Sequence, residues 1–282
     1  MSIGSTLRTL VTALLLVSVA GCASFATQRM ADNLASAMLN QDDPDTVRAG
    51  APAYLLLLDS LIEASPDDTD MLIAGANLYG AYASGLIEDP VRGKRLSSRA
   101  LNYARKAMCG KEPRFCSLEH APFDDFIPAV NTLDPAHIKS IYAYASSWAG
   151  WIRAHSDDWN AIADLPRVEM LLQWVVDSDS AHAKGRAQLY LGIMHSQLPP
   201  QLGGKPETGR LHFEQAIVYS SGRDLIIKVE YARSYARLVF DQALHDRLLQ
   251  EVIAADPLVH DLTLSNTIAQ RRAKELLADD FF

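Results

Sequence analysis

The fold of this chain is decided by residues 182–220, which read HAKGRAQLYLGIMHSQLPPQLGGKPETGRLHFEQAIVYS. Leucine, alanine and aromatic residues recur three and four positions apart on both sides of a break rich in proline and glycine. This spacing predicts helices over 182–197 and 207–220. Leu191-Gly192 fits the Leu-Gly contact of the first helix of a tetratricopeptide-type pair, and Phe213 with Ala216 fits the second helix of the same pair. The stretch therefore predicts two antiparallel helices in close contact.

The same periodicity predicts three more helix pairs along the chain. They lie at 71–87 with 91–108, at 136–154 with 166–177, and at 224–240 with 242–254. Asp-Pro pairs at Asp43-Pro44, Asp89-Pro90 and Asp134-Pro135 suit helix starts, because the carboxylate caps the helix and proline is tolerated at its first position. Strand-like alternation is not sustained for any useful length. The sequence therefore predicts an all-α fold.

Small residues at the predicted helix contacts make these pairs resemble tetratricopeptide repeats. Ala100, Ala104 and Ala107 give the first pair a close-packing face, and Ala216 accompanies Phe213 in the third. The resemblance implies about four degenerate tetratricopeptide-like pairs with flanking helices. A generic helical bundle stays open as the alternative, because the spacing is irregular and longer than the usual repeat of about 34 residues.

The N-terminal segment has the features of a bacterial lipoprotein signal. Arg8 precedes an apolar run at 10–19, and the residues VAGC end at Cys22. The run is too short to span a bilayer permanently. We therefore predict a signal peptide over 1–21 and a single helical domain over 22–282. Acyl chains on Cys22 would then anchor the protein stably to a membrane.

Two points about this segment bear on localisation. Ala23 follows the cysteine, and a residue other than Asp at that position favours the outer membrane in enteric-type sorting. We therefore expect a lipid-anchored outer-membrane protein that faces the periplasm. A secretory signal with an incidental cysteine is the alternative.

Composition limits the classes of partner. The chain has 26 Lys and Arg against 34 Asp and Glu, so its formal net charge is −8. An acidic chain without basic clusters lacks the electrostatic attraction that nucleic-acid binding requires. Apart from the signal, no stretch of the sequence is long and apolar enough to suggest a membrane span. We expect no nucleic-acid partner, and membrane contact only through the lipid.

Two cysteines remain after Cys22, at Cys109 and Cys116. An exported protein meets an oxidising compartment, and Gly110 and Pro113 can turn the chain between them. We predict a disulfide, with two free thiols as the alternative. A zinc site is disfavoured, because His120 is the only suitable ligand nearby.

Motifs for catalysis are missing from the sequence. The histidines occur singly, and His182 and His195 lie among apolar neighbours, where a packing role is favoured. There is no Gly-x-Ser-x-Gly nucleophile motif. Gly203-Gly204-Lys205 lacks the glycine spacing of a phosphate-binding loop, and Pro206 stands where Ser or Thr is required. We predict no catalytic residues, no metal and no cofactor.

Aromatic stripes are the better indication of a binding function. Tyr144, Trp148 and Trp151 share one face of a predicted helix, and Tyr79 with Tyr82 makes a shorter stripe on another. Such stripes are core packing more often than ligand walls. A ligand cleft lined by these five residues is our more specific hypothesis.

Arg233 and Arg237, one turn apart, suit either an anionic ligand or surface ion pairs, and ion pairs are favoured.

Several segments together resemble the T component of tripartite ATP-independent periplasmic (TRAP) transporters. The resemblance covers nearly all of the mature chain, through packing and loop motifs rather than catalytic ones. It rests on the lipoprotein signal and on QRMADNL at 28–34, NQDDP at 40–44, the Leu-rich helix at 53–62, Leu78-Tyr79 to Tyr82-Ala83, Arg95-Leu96, Arg99-Ala100-Leu101, FEQA at 213–216, and the loop Leu202, Gly203, Gly204, Lys205, Pro206, Glu207.

The resemblance implies a lipid-anchored periplasmic protein that is a homotrimer and is pierced by a pore or cleft. It also implies that the protein binds the solute-binding subunit of a TRAP transporter, with a role in handing over a small or apolar ligand. An outer-membrane scaffold whose helical repeats dock other envelope proteins is the alternative function.

Overall fold

The computed structural model describes residues 33–118 and 121–282, and the chain within these ranges is helical with no strand. The predicted all-α fold is therefore confirmed. A helical segment at 33–39 precedes twelve helices. These are α1 Pro44–Ala64, α2 Thr69–Gly85, α3 Pro90–Lys111, α4 Phe123–Val130, α5 Ile138–Ala154, α6 Trp159–Ala163, α7 Leu165–Ser178, α8 Arg186–His195, α9 Pro206–Tyr219, α10 Leu225–Glu230, α11 Gln242–Ala254 and α12 Thr263–Leu277.

The Asp-Pro pairs begin helices as predicted. The side chain of Asp43 accepts a hydrogen bond from the backbone N–H of Asp45 at the start of α1. Asp89 caps α3 in the same way through the N–H of Val91. Asp134 caps a short 3₁₀ turn that leads into α5. Each carboxylate satisfies an N–H group that the helix itself leaves without a partner.

Consecutive helices pack in the predicted pairs. Helix α2 packs against α3, α5 against α7, and α8 against α9, and the helix that begins with α10 packs against α11. In the third pair, Phe213 lies against Gly192. Whether these pairs are tetratricopeptide-like in the strict sense stays a prediction.

The predicted helix bounds differ from the structure in two places. Residues 182–185 form a 3₁₀ turn in which Ala183, Lys184 and Gly185 have positive φ, so α8 begins at Arg186. The chain turns here because Gly185 lies against Tyr219, where an added Cβ would stand only 2.7 Å from the tyrosine side chain. The predicted helix at 224–240 continues from α10 as a π-helix over Tyr231–Ala236 and stops before Phe240.

The first helices of successive pairs form an inner layer. Helix α2 packs against α5, α5 against α8, and α8 against α10, and α12 then packs beside α10. The C-terminal part of the chain also returns to the N-terminal part, since Arg272 on α12 donates to the backbone oxygen of Ser84 on α2 at 2.8 Å. The backbone N–H of Asp261 donates to Asn40 at 2.8 Å. The helices therefore close into a ring.

Two apolar clusters fill the spaces between the layers. One is built from helices α1 to α8, and the other from α8 to α12. Helix α8 contributes to both, through Leu191 to the first and Leu189 to the second. Within residues 33–118 and 121–282, no helix is both long enough and apolar enough to cross a membrane.

Candidate functional site

Tyr144 and Trp148, two members of the predicted aromatic cleft, lie in the core. Their exposed fractions are 1% and 0%. Trp148 meets the ring of Phe126 edge to face at 6.3 Å and lies 5.1 Å from the ring of Tyr144. These two side chains therefore fill a helix interface, where a stripe of large aromatic residues at helical spacing packs well.

Tyr79 and Tyr82 are also buried, and their hydroxyl groups serve the packing of α1 to α3. Tyr79 donates to one carboxylate oxygen of Asp59 at 2.8 Å, and Tyr103 donates to the other at 2.6 Å. Arg99 completes this cluster with an ion pair to Asp59 at 2.8 Å. Burial raises the pKa of both Tyr79 and Tyr103. Both tyrosines thus stay protonated as donors within this cluster.

Tyr82 donates to the backbone oxygen of Arg48 at 3.0 Å. Its side chain is 2% exposed, so it joins α1 to α2 rather than facing a ligand. The hydroxyl groups of Tyr79 and Tyr82 are thus both engaged inside the protein.

Trp151 is the one member of the predicted cleft that reaches the surface. Its indole N–H donates to the hydroxyl of Ser98 at 3.1 Å, and its ring stacks on that of His155 at 4.4 Å. The side chain is partly buried against the first core cluster. A single accessible tryptophan, held by a neighbour on α3, does not make a cleft.

Cys109 and Cys116 are joined as a disulfide in the structure, with their Cα atoms 4.9 Å apart. Cys109 lies in the last turn of α3, and Cys116 ends a 3₁₀ turn over Pro113–Cys116. The bond therefore ties the end of a helix to the connection that follows it. Cys22 and the signal peptide lie outside the described residues, as does His120.

The family loop at 202–207 has a structural role. Gly203 has a φ of 86°, and a Cβ on Gly204 would collide with the backbone of Leu198. Pro206 begins α9. The carboxylate of Glu207 accepts a hydrogen bond from the hydroxyl of Tyr235 at 2.7 Å, and this bond joins α9 to the π-helix. The loop therefore fixes the geometry of two helix pairs.

The histidines singled out from the sequence take packing positions. His195 stacks on His212 with ring centroids 5.4 Å apart, and His182 meets the ring of Tyr142 edge to face at 5.3 Å. Burial lowers the pKa of His182 and His195, and lowers that of His212 to about 4. No group of three or more His, Cys, Asp or Glu residues in the described ranges could hold a metal ion.

Another group of side chains meets where the inner helices face one another. We call it the inner recess. Its members are the two tyrosines, Arg272 and the charged groups that act on their pKa values: Tyr142, Arg153, Arg186, Tyr190, Asp224, Glu230, Arg233, Arg272 and Glu275. They come from α5, α8, the loop before α10, α10, the π-helix and α12. The recess is therefore assembled from most of the chain, and no local motif marks it.

Two tyrosine hydroxyl groups of the inner recess, on Tyr142 and Tyr190, have pKa values shifted by burial. Tyr142 and Tyr190 are each partly accessible to solvent, yet burial raises the pKa of both hydroxyl groups. The carboxylates of Asp224 and Glu230 raise the pKa of Tyr190 further, while Arg186 lowers it. Burial therefore keeps both hydroxyl groups protonated.

The two buried carboxylates of the inner recess, Asp224 and Glu230, are paired with arginines. Asp224 is 2% exposed and accepts from Arg186 at 2.9 Å. Glu230 is 4% exposed and accepts from Arg233 at 2.9 Å. Arg272 instead donates to the backbone oxygen of Ser84. The recess thus holds more guanidinium groups than carboxylates.

Sequence reasoning singled out only Arg233 among these residues, together with Arg237. Arg237, whose side chain is mostly buried, forms an ion pair with Asp279 at 3.0 Å and lies 4.5 Å from the ring of Phe281. The favoured prediction of ion pairs is therefore confirmed for both arginines, since Arg233 pairs with Glu230. Their spacing on one helix indicated nothing about the arginines on α5, α8 and α12.

Comparison with known proteins identifies the family. No curated protein matches the chain. The family model described as TRAP transporter T-component matches residues 40–282, which is nearly all of the mature chain expected from the signal. The matched range includes every helix labelled above. The protein therefore belongs to the TRAP transporter T-component family.

Proposed function

We propose that this protein is the lipid-anchored, periplasm-facing accessory component of a TRAP-type transport system, and that it binds the solute-binding subunit. The family match over residues 40–282 carries this proposal, because it makes the chain a TRAP transporter accessory component. The sequence around Cys22 supports the anchor. We assign no catalytic role, since the family is one of transport accessory proteins.

The closed ring of helices supports a role in handling a small ligand. Its inner helices carry Tyr142 and Tyr190, which are partly exposed and whose pKa values are raised by burial, and partly buried aromatic side chains suit a small-molecule site. The inner recess therefore takes the place of the aromatic face that the sequence suggested. A ligand bound there would be held by elements from both halves of the chain.

Affinity capture tests the partner. The tagged protein is extracted from cell envelopes with detergent, and the co-purifying proteins are identified by mass spectrometry. A TRAP solute-binding protein, captured again by the purified protein alone, is the expected result. Capture of secretion or pilus components without any solute-binding protein would instead support the scaffold.

Labelling with palmitate tests the anchor. The wild type should incorporate the label and fractionate with the outer membrane, while Cys22→Ser should lose both label and membrane retention. A variant that is labelled as strongly as the wild type would contradict lipidation at Cys22.

The resemblance also leads us to propose a homotrimer. Light scattering of the delipidated protein should give three times the mass of one chain at micromolar concentration. A stable monomer under those conditions would contradict this assembly.

A further inference from the structure

Helix α3 is strongly basic, although the protein as a whole is acidic. It carries seven of the 26 Lys and Arg residues and no Asp or Glu, while the whole chain has a formal net charge of −8. Four exposed members follow one another three, four and seven positions apart, which places them on one side of the helix. We call this side the basic face, and its members are Arg92, Arg95, Arg99 and Lys106. The expectation of a chain without basic clusters therefore does not hold for α3.

Most of the charge of the basic face is not neutralised within the described ranges. Arg95 and Lys106 make no ion pair there. Arg92 donates to a neutral tyrosine hydroxyl at 3.3 Å. Arg99 pairs with Asp59, yet its side chain stays 47% exposed. Because salt screens charges that lie farther away than about 8 Å, an approaching surface responds to this face more than to the net charge of the chain.

Exposed apolar side chains lie beside the basic face. Val91 directly precedes Arg92 and is 64% exposed. On α1, Leu56 is 70% exposed and lies one turn before Asp59, the carboxylate that Arg99 reaches. Cations next to exposed apolar groups are typical of surfaces that lie at a membrane interface, where the cations meet anionic head groups and the apolar groups enter the boundary of the acyl chains.

The chain enters the fold beside the basic face. The backbone oxygen of Arg48, in the second turn of α1, accepts from Tyr82 at 3.0 Å, and the hydroxyl of Tyr82 accepts from Arg92 at 3.3 Å. Helices α1 and α3 therefore start at the same end of the protein. Cys22 precedes Asn33, the first described residue, by eleven positions, a length of chain that spans at most about 40 Å. An acyl anchor on Cys22 would thus hold a bilayer within reach of this end, which favours a membrane over an acidic protein as the surface that α3 meets.

We propose that the basic face of α3 docks on an anionic phospholipid surface. Each Lys or Arg held near such a surface strengthens membrane binding about fivefold. Docking would add a protein contact to the acyl anchor and fix the orientation of the helical ring against the bilayer. The proposal rests on the lipid anchor of the proposed function, because the anchor is what keeps a bilayer nearby.

Vesicle sedimentation tests the proposal on the purified Cys22→Ser protein, which lacks the acyl anchor. Vesicles of phosphatidylcholine alone are compared with vesicles of phosphatidylcholine mixed with phosphatidylglycerol. We expect the protein to bind only the anionic vesicles, and the bound fraction to fall as salt is raised. Equal binding to both kinds of vesicle, or binding to neither, would overturn the proposal.

Charge variants locate the contact. Arg95→Gln and Lys106→Gln should each lower the partition into anionic vesicles about fivefold. Both side chains are exposed and lack an ion pair in the described ranges, so the variants should fold. Arg247→Gln is the matched control, because it also removes one positive charge, from a side chain on α11 that is 61% exposed and pairs with Glu251. Its partition should not change. Equal losses in all three variants, or no loss in any, would overturn the assignment to α3.

A fluorescent probe reports which side of the protein meets the vesicle. Asn102 is exposed on α3 between Arg99 and Lys106. Asn102→Cys, labelled with a polarity-sensitive dye, should shift its emission to the blue on anionic vesicles. Val218→Cys is the matched site, because Val218 is 65% exposed on α9, which packs against α8 and α10. A shift at Val218→Cys without one at Asn102→Cys would show that another side docks and would overturn the proposal.

The vesicle experiments and the tests of the proposed function can fail separately. Binding of Cys22→Ser to anionic vesicles, without palmitate labelling of the wild type, would retain the basic face and reject the anchor. Labelling without vesicle binding would retain the anchor and overturn the basic face. Weaker capture of the solute-binding subunit by Arg95→Gln, with no vesicle binding by the parent protein, would assign the face to an acidic protein surface and likewise overturn the proposal.

Discussion

Phe213 lies so close to Gly192 that a Cβ added to the glycine would stand 3.0 Å from the aromatic ring. The contact joins α9 to α8, and Phe213 is fully buried, so its ring has no space into which to move. The glycine is therefore required by the helix contact and not by its backbone conformation.

Gly192→Ala should lower the free energy of unfolding by about 1 to 3 kcal/mol, because an extra methyl in a packed contact forces the core to shift. Gly50→Ala is the matched control. Gly50 lies within α1 with nothing within 4 Å of an added Cβ, so alanine there should stabilise by about 0.4 to 1 kcal/mol. Urea unfolding measures both. Equal effects of the two variants would mean that the close contact has no energetic weight.

Trp148→Ala should lower the free energy of unfolding by about 3 to 5 kcal/mol, because the side chain is fully buried against Phe126 and Tyr144. Trp151→Ala should cost clearly less, since Trp151 is only partly buried. Melting temperatures compare the two variants. The indole N–H of Trp148 has no hydrogen-bond partner, so Trp148→Phe should recover much of the stability.

Acrylamide quenching gives a second measurement of the same pair. The fluorescence that Trp148→Phe removes should be the protected component, and that removed by Trp151→Phe should be more accessible. Strong quenching of Trp148 in the folded wild type would contradict its place in the core.

The disulfide between Cys109 and Cys116 should contribute about 2 kcal/mol of stability through closure of a short loop. Cys109→Ser with Cys116→Ser should lower the melting temperature accordingly. Reducing agent should lower the wild type to the same value and leave the double variant unchanged. Intact-mass analysis of the wild type without reductant should show the loss of two hydrogens. Alkylation of both cysteines in freshly extracted native protein would exclude the bond.

Acid should destabilise the protein through His212. Burial lowers its pKa to about 4, from the ordinary value of 6.5. Between pH 4 and pH 6.5, His212 therefore binds a proton more readily in the unfolded chain than in the folded protein. The contribution of neutral His212 to the free energy of unfolding is complete above pH 6.5. It is lost as pH falls toward 4, and the free energy of unfolding then falls by about 1 kcal/mol per pH unit. His195 contributes in the same direction, because burial lowers its pKa as well.

Unfolding free energy measured from pH 7 to pH 4.5 checks this slope. His212→Gln should make it shallower, whereas His260→Gln should not, because His260 is 80% exposed. The same slope in His212→Gln and in the wild type would assign the acid sensitivity to other groups.

The sequence predicted those parts of the structure that depend on local pattern. The helix pairs follow from apolar spacing, and their starts follow from residues such as Asp43 and Asp89, whose side chains act within one turn. The break at Gly185 was not predicted, because it depends on Tyr219 in the next helix.

The inner recess was not predictable for the same physical reason. Arg153, Arg186 and Arg272 lie on three different helices and become neighbours only when the layers close. The aromatic stripe was visible from the sequence, but its spacing could not distinguish a core from a cleft. Tyr144 shows the difficulty, since its position on the helix fits both and only the packing of other helices buries it.

The contact between Arg272 and Ser84 joins residues 188 positions apart. The early helix pairs depend only on contacts within the N-terminal part of the chain, but the ring is complete only when the last helix packs against α2. An open stack of repeats tolerates the gain or loss of a unit, because each unit contacts only its neighbours. A stack whose ends meet does not, since one unit more or less would move Arg272 away from Ser84. Ring closure therefore fixes the number of helix pairs.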